Sequence, residues 1–142
     1  GNNLRINVAS GATTTDGLHN GAASNGVVAA GYTNSFAGTT TTTLYVFDGT
    51  TLYTQVPPNN GTLVSVGSLG VTANGDAGFD IAGGANGLVL AAIRTTGGSG
   101  PSDLYRINLA TGAATAVGVA GGTAQIGLAG GSQIRSLAIE LR

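Results

Sequence analysis

RINLATGAAT, residues 106 to 115, repeats RINVASGATT, residues 5 to 14, across an offset of 101 residues with no gap. Both stretches open on Arg-Ile-Asn and place a Gly six residues after the Arg, at Gly11 and Gly112. Halfway between them, LYTQVPPNNGTLVSVG at 52 to 67 resembles LYRINLATGAATAVG at 104 to 118, with Leu-Tyr in front, a turn Gly in the middle, Val-Gly at the end and one extra residue. Self-similarity at a spacing of about 50 residues marks an array of supersecondary units, none of which buries its apolar face alone.

Four runs of strand composition fill one period: GFDI at 78 to 81, LVLAAIR at 88 to 94, DLYRINL at 103 to 109 and AATAVG at 113 to 118. The period before it gives VVAAGYT at 27 to 33, TLYVFD at 43 to 48, LYTQV at 52 to 56 and TLVSVG at 62 to 67. Ahead of these stand only the last two strands of a period, LRINV and ATTTD, and after them only IRSLAIEL at 134 to 141, which reads as a first strand. Tyr105, Ile107 and Leu109 alternate with Arg106 and Asn108, as Leu4, Ile6 and Val8 alternate with Arg5 and Asn7, so each third strand has one apolar face. The repeat then predicts Ile6 and Ile107 on the same buried face. LVLAAI is apolar on both faces, as an inner strand between neighbouring sheets requires. Four-stranded units stacked face to face are the architecture of propeller blades.

Turn chemistry points the same way. Asp48-Gly49 separates LYVF from TLYT, which predicts a hairpin over 44 to 56 with a two-residue type I′ turn. Asn-Gly recurs at 20, 25, 60, 74 and 86, and Asp-Gly at 16. These pairs tolerate the left-handed backbone of tight turns.

Composition narrows the function classes. Gly supplies 26 of 142 residues with no period, which excludes collagen and implies many turns. The 42% hydrophobic content argues against disorder. Charge is scarce at 8%, with a net of -1 and no Lys, so a phosphate-tracking groove would rest on five scattered arginines, and no nucleic-acid partner is expected. The absence of Cys removes disulfides, thiolate metal sites and cysteine nucleophiles. No apolar run reaches the length of a membrane span. The chain opens at Gly1 without Met, as after removal of a leader or at a boundary inside a longer protein.

LYRINLATGAATAVG, GFDI and AAGYTNSFAGTTTTTLYVFDGTTLYTQVPPNNGTLVSVGSLGV together resemble the bacterial domain-of-unknown-function family 4394, and the likeness covers nearly the whole chain. The resemblance implies a propeller-like fold, frequent export, and alignment with the later part of a longer domain. It implies no catalytic residue.

The reactive side chains are few and scattered. His19 follows Asp16 by three residues, but no Gly-x-Ser-x-Gly elbow accompanies them, so a loop histidine is expected rather than a triad. NGDAGFD carries Asn74, Asp76 and Asp80, yet lacks the spacing and terminal Glu of an EF-hand loop. A calcium ion near Asp76 and Asp80 stays open. Glu140 reads as a solvated edge charge, and GGSGPSD and GVAGGT read as turns, since a Walker A loop requires Lys. The single TTTTT run at 39 to 43 leads into a strand.

The sequence therefore reads as all-β, with propeller-like four-stranded antiparallel repeats of about 50 residues, incomplete at both ends. One domain spans 1–142, with a partial blade at 1–20, blades at 26–67 and 77–118, and a closing strand at 134–142. The expected function is that of a non-catalytic, exported structural protein, secreted or on the cell surface, with no cofactor and no metal. Its partners would be other copies, added strand to strand at edges bearing Leu4, Ile6, Val8, Ile134, Leu137, Ile139 and Leu141, into a closed dimer or, preferably, an extracellular filament. A module binding a glycan or small ligand is the alternative. A hydrolase using Asp48, Asp76, Asp80 or Asp103 on loops is a weaker one.

Overall fold

A computed structural model describes residues 2–21, 26–84, 87–95, 100–118, 124–126 and 131–140. Each full repeat folds as four consecutive antiparallel strands. In the first these are β3 (Ala29–Tyr32), β4 (Leu44–Phe47), β5 (Thr51–Gln55) and β6 (Leu63–Ser68), and in the second β7 (Gly78–Ile81), β8 (Val89–Ile93), β9 (Ser102–Ile107) and β10 (Ala114–Ala116). Ahead of them β1 (Leu4–Ile6) and β2 (Thr13–Thr15) form a two-stranded sheet, and a short β11 (Gln125–Ile126) pairs with the start of β9. No α-helix occurs among the described residues, and none of their helices is long and apolar enough to cross a membrane. The three sheets form no closed ring among those residues.

The two larger sheets stack face to face. Phe47 of β4 meets Phe79 of β7 edge-on, with ring centroids 5.3 Å apart at 73°. Around this pair Leu52, Leu69, Ile81, Val89, Ala91, Ile93, Tyr105 and Ile107 form one buried core, each large aliphatic or aromatic side chain contributing about 1.5–3 kcal/mol by leaving water. The sheets approach closely where side chains are missing. A Cβ at Gly31 would come within 3.2 Å of the Phe79 ring, and one at Gly67 would strike the carbonyl of Thr111. There the Ala114 N–H donates across the interface to the Leu69 carbonyl at 2.9 Å. The opposite face of the first sheet carries a smaller core of Leu44, Val46, Tyr53 and Leu63.

β8 is paired on both edges, with β7 and β9, and buried on both faces except at the half-buried Leu90, as its unbroken apolar run predicts. The hairpin at 44 to 55 forms, but not by the expected turn. Phe47 pairs with Leu52, and neither Asp48 nor Gly49 has the positive φ that a type I′ turn demands. Asp48 is buried, and its Oδ1 accepts the N–H groups of Thr50 and Thr51 at 2.8 Å each, so a side chain shapes the bend. Asn-Gly pairs at 20, 60 and 74 do place Gly21, Gly61 and Gly75 at positive φ.

Residues 131–140 carry no strand, although 134 onward reads as one; Leu141 lies outside the described residues. The segment nevertheless sits on β7: a Cβ at Gly78 would meet Leu137, and the Ile139 N–H donates to Asp80 Oδ2 at 2.6 Å. The reason is one of pairing. A first strand such as β3 or β7 finds its ladder only in the second strand of its own unit, β4 or β8, and residues 134–140 lie against no such second strand among the described residues.

Candidate functional site

Asn7 and Asn108 build one turn twice. Asn7 N–H donates to Ala12 O and Asn108 N–H to Ala113 O, both at 2.9 Å, while Gly11 N–H donates to Asn7 O and Gly112 N–H to Asn108 O, both at 2.8 Å. Asn7 Oδ1 accepts the N–H groups of Ala9 and Ser10, and Asn108 Oδ1 those of Ala110 and Thr111. Gly11 and Gly112 take φ of 70° and 83°, a region L-residues avoid. The strands pair in matching register: Ile6 opposite Thr13 and Arg5 opposite Thr14 in one hairpin, Ile107 opposite Ala114 and Arg106 opposite Thr115 in the other.

Their surroundings differ. Ile107 is 3% exposed and Ile6 63%, so the expectation of a shared buried face fails even though the register holds. Tyr105 and Ile107 lie in the core beneath the first four-stranded sheet. Among the described residues no sheet covers the same face of β1–β2, and Leu4, Ile6 and Val8 stand together in solvent. The hairpin's other face is turned toward the first sheet, where Asn3 Nδ2 donates to the Pro58 carbonyl at 2.8 Å. β1 also has a single neighbouring strand among those residues, whereas β9 lies between β8 and β10. Of the expected edge residues, Leu4, Ile6 and Val8 share this exposed patch. Ile134, Leu137 and Ile139 are half-buried elsewhere; Ile134 N–H donates to Ser102 Oγ.

Between the hairpin and the first sheet lies a cavity of about 300 Å³ lined by Asn3, Arg5, Asp16, His19, Tyr32 and Gln55 among others. Asp16 is held by Arg5 through two bonds of 3.1 Å. His19 is half-buried, with Nδ1 lacking any hydrogen-bond partner among the described residues. Burial lowers the imidazole below its ordinary value of 6.5, against a hydrogen bond with Gln55 that raises it. No Ser or Thr hydroxyl among the described residues lines the cavity as a nucleophile.

The other carboxylates are dispersed. Asp48 Oδ2 accepts the Tyr53 hydroxyl at 2.8 Å, and burial together with that bond pushes the phenol up from its ordinary value. Exposed Asp76 faces Arg135 at 3.5 Å, Gln133 donates to the Asp76 carbonyl, and Asp80 is engaged by the N–H groups of Ile81 and Ile139. Asp103 sits on β9 opposite Gln125. Among the described residues no group of three or more His, Cys, Asp or Glu side chains converges on a metal position.

Strand alternation marks Asn7 and Asn108 only as solvent-facing residues and misses that their side chains organise the turns. The signal is present nonetheless, since each lies four residues before a Gly in the repeated stretch. The seat of Gly67 against Thr111 is hidden for another reason, because it joins two units that are remote in sequence.

The model of the family described as "Domain of unknown function (DUF4394)" matches residues 1–129, and the chain belongs to that family. No curated protein and no solved structure matches it.

Proposed function

We propose that this member of the family is a non-catalytic, exported structural repeat protein that associates with other copies of itself through its unfinished sheets. One observation carries the reading: β1–β2 reproduces β9–β10 in register and turn, yet among the described residues its apolar face is bare and the outer edge of β1 unpaired. Open strand edges are templates for pairing, and LRINV holds neither Lys nor Pro to block addition. The dispersal of the carboxylates, most of them tied to local partners, supports a non-catalytic role. A charge-poor, Gly- and Thr-rich chain without Cys suits a durable extracellular assembly. Contacts between unlike surfaces run on as a filament unless their rotation closes. Sedimentation and negative-stain microscopy at micromolar concentration test the proposal. Concentration-dependent association is expected, and a monomer at all concentrations overturns it.

A second reading, a glycan-binding module, draws on one feature. An open cavity of about 630 Å³ is lined by Tyr32, Phe36, Ser35, Thr39 and Thr42, and both aromatic rings are substantially exposed, at 44% and 49%. Exposed rings beside hydroxyls suit the mixed faces of a sugar. Calorimetric titration with oligosaccharides, compared between the wild type and Phe36→Ala, decides it.

A further inference from the structure

We propose that the connection between β3 and β4 is a binding site for a neutral polysaccharide, with the Phe36 ring as the platform on which one sugar lies. The inference deepens the glycan-binding reading, on which it rests, by naming the ligand's charge, the way it lies and the residue that carries it.

The second unit shows how little the fold asks of this connection. β7 and β8 are joined by AGGANGL at 82 to 88, whereas β3 and β4 are joined by the longer TNSFAGTTTTT at 33 to 43. Hairpin connections are ordinarily short, so joining the strands requires neither the added length nor an aromatic residue. Loops of this kind carry function when a rigid scaffold positions them. This one is held at its base, its middle and its flank. Thr33 N–H donates to the Thr43 carbonyl at 3.0 Å, and Thr33 Oγ1 accepts the Thr43 N–H at 2.8 Å. Asn34 Nδ2 and Thr39 Oγ1 both donate to the Thr41 carbonyl, at 3.0 and 3.1 Å. Asn34 is the one residue other than Gly with a positive φ among the described residues, at 53°, and Phe36 N–H donates to its carbonyl at 2.8 Å. The flank leans on the shorter connection, where a Cβ at Gly83 would strike the Ser35 carbonyl.

The loop spends its bonds on holding Phe36 in water. Of the four Tyr and three Phe, only Tyr32 and Phe36 are exposed, and both line the cavity of about 630 Å³. Phe36 belongs to no strand, so no sheet dictates its position. Around the rings stand Asn34, Ser35, Thr39 and Thr42, with no Asp, Glu, Arg or His in the lining. Ser35 and Thr42 are exposed, and their hydroxyls take no part in the bonds that hold the loop. A sugar ring offers an apolar C–H face to an aromatic platform and hydroxyls at its rim to Ser, Thr and Asn. A uronate carboxylate would lose water here without gaining a cation, which selects for an uncharged ligand. The cavity is open, so a chain can lie across it rather than insert an end.

Affinity electrophoresis tests the proposal. Native gels are cast with soluble galactomannan, xyloglucan, starch or hydroxyethyl cellulose, or with polygalacturonate as the charged control, and each is compared with a gel lacking polymer so that the oligomeric state cancels. At least one neutral polymer should retard the wild type, and polygalacturonate should not. Phe36→Leu, which keeps an apolar side chain but removes the ring face, should raise the dissociation constant by at least about tenfold, while Phe36→Tyr should stay within about threefold. Thermal melts of both variants at the wild-type midpoint establish that the loss is not one of folding. Retardation by polygalacturonate alone overturns the neutral site and leaves glycan binding standing. Retardation by a neutral polymer that is unchanged in Phe36→Leu overturns the platform in the same way. If no polymer retards the wild type, the site and the glycan-binding reading fall together.

Discussion

Asp48 is the residue on which the first sheet's central hairpin hinges. Its carboxylate receives two backbone N–H groups and the Tyr53 hydroxyl while only 2% exposed. Tyr53→Phe should leave a buried carboxylate oxygen without its donor and cost about 1–3 kcal/mol in urea denaturation. A wild-type midpoint in that variant would show the bond to be dispensable. His19 gives a pH dependence of defined sign. Its folded-state value lies below the unfolded value of 6.5, so the unfolded chain binds the proton more readily. The contribution of the neutral ring is full above 6.5 and declines as pH falls through that value toward the folded one. Thermal melts should therefore show stability decreasing from about pH 7 to about pH 5, with a shallower decrease in His19→Gln. An identical slope in the variant would assign the effect to the carboxylates.

At the scale of elements, Ile6 and Ile107 are the same position in two hairpins with opposite burial, and substitution should separate them. Ile107→Ala should cost about 2–5 kcal/mol through transfer and cavity terms. Ile6→Ala in the unassociated chain should stay within about 0.5 kcal/mol. Equal costs would mean that β1–β2 is covered in the free chain. The same pair explains what the sequence could reveal. Alternation and the 101-residue offset specify strands, register and the order of the two four-stranded sheets, because these follow from local pattern. The exposure of Ile6 was not legible, since it depends on a neighbouring sheet rather than on the strand's own residues. The bend at Asp48 escaped for a related reason: Asp-Gly signals a type I′ turn only while the Asp side chain stays out of the backbone's hydrogen bonding. Residues 134–140 have strand composition, but a ladder needs a partner that no local pattern supplies.

For the whole molecule, order along the chain is order in space: the opening hairpin, the first sheet and the second sheet follow one another, with residues 134–140 laid on the last. Among the described residues the outer edge of β1 is unpaired, which bears on how long the protein survives among proteases. Proteases commonly bind their substrates as extended strands, so an edge able to accept a strand is equally able to be read by an enzyme cleft. Arg5 lies on that edge, its side chain held by Asp16, whereas Arg106 lies on β9 with strands on both sides and the backbone of Arg94 is tied, its carbonyl accepting the Asn74 N–H. Limited digestion with an arginine-specific protease should cut after Arg5 well before Arg94 or Arg106, as mass spectrometry of the early fragments would reveal. First cleavage after Arg106 would contradict the sheet order. Association would then act as a lock on degradation, sparing chains that have found a partner and removing those that have not.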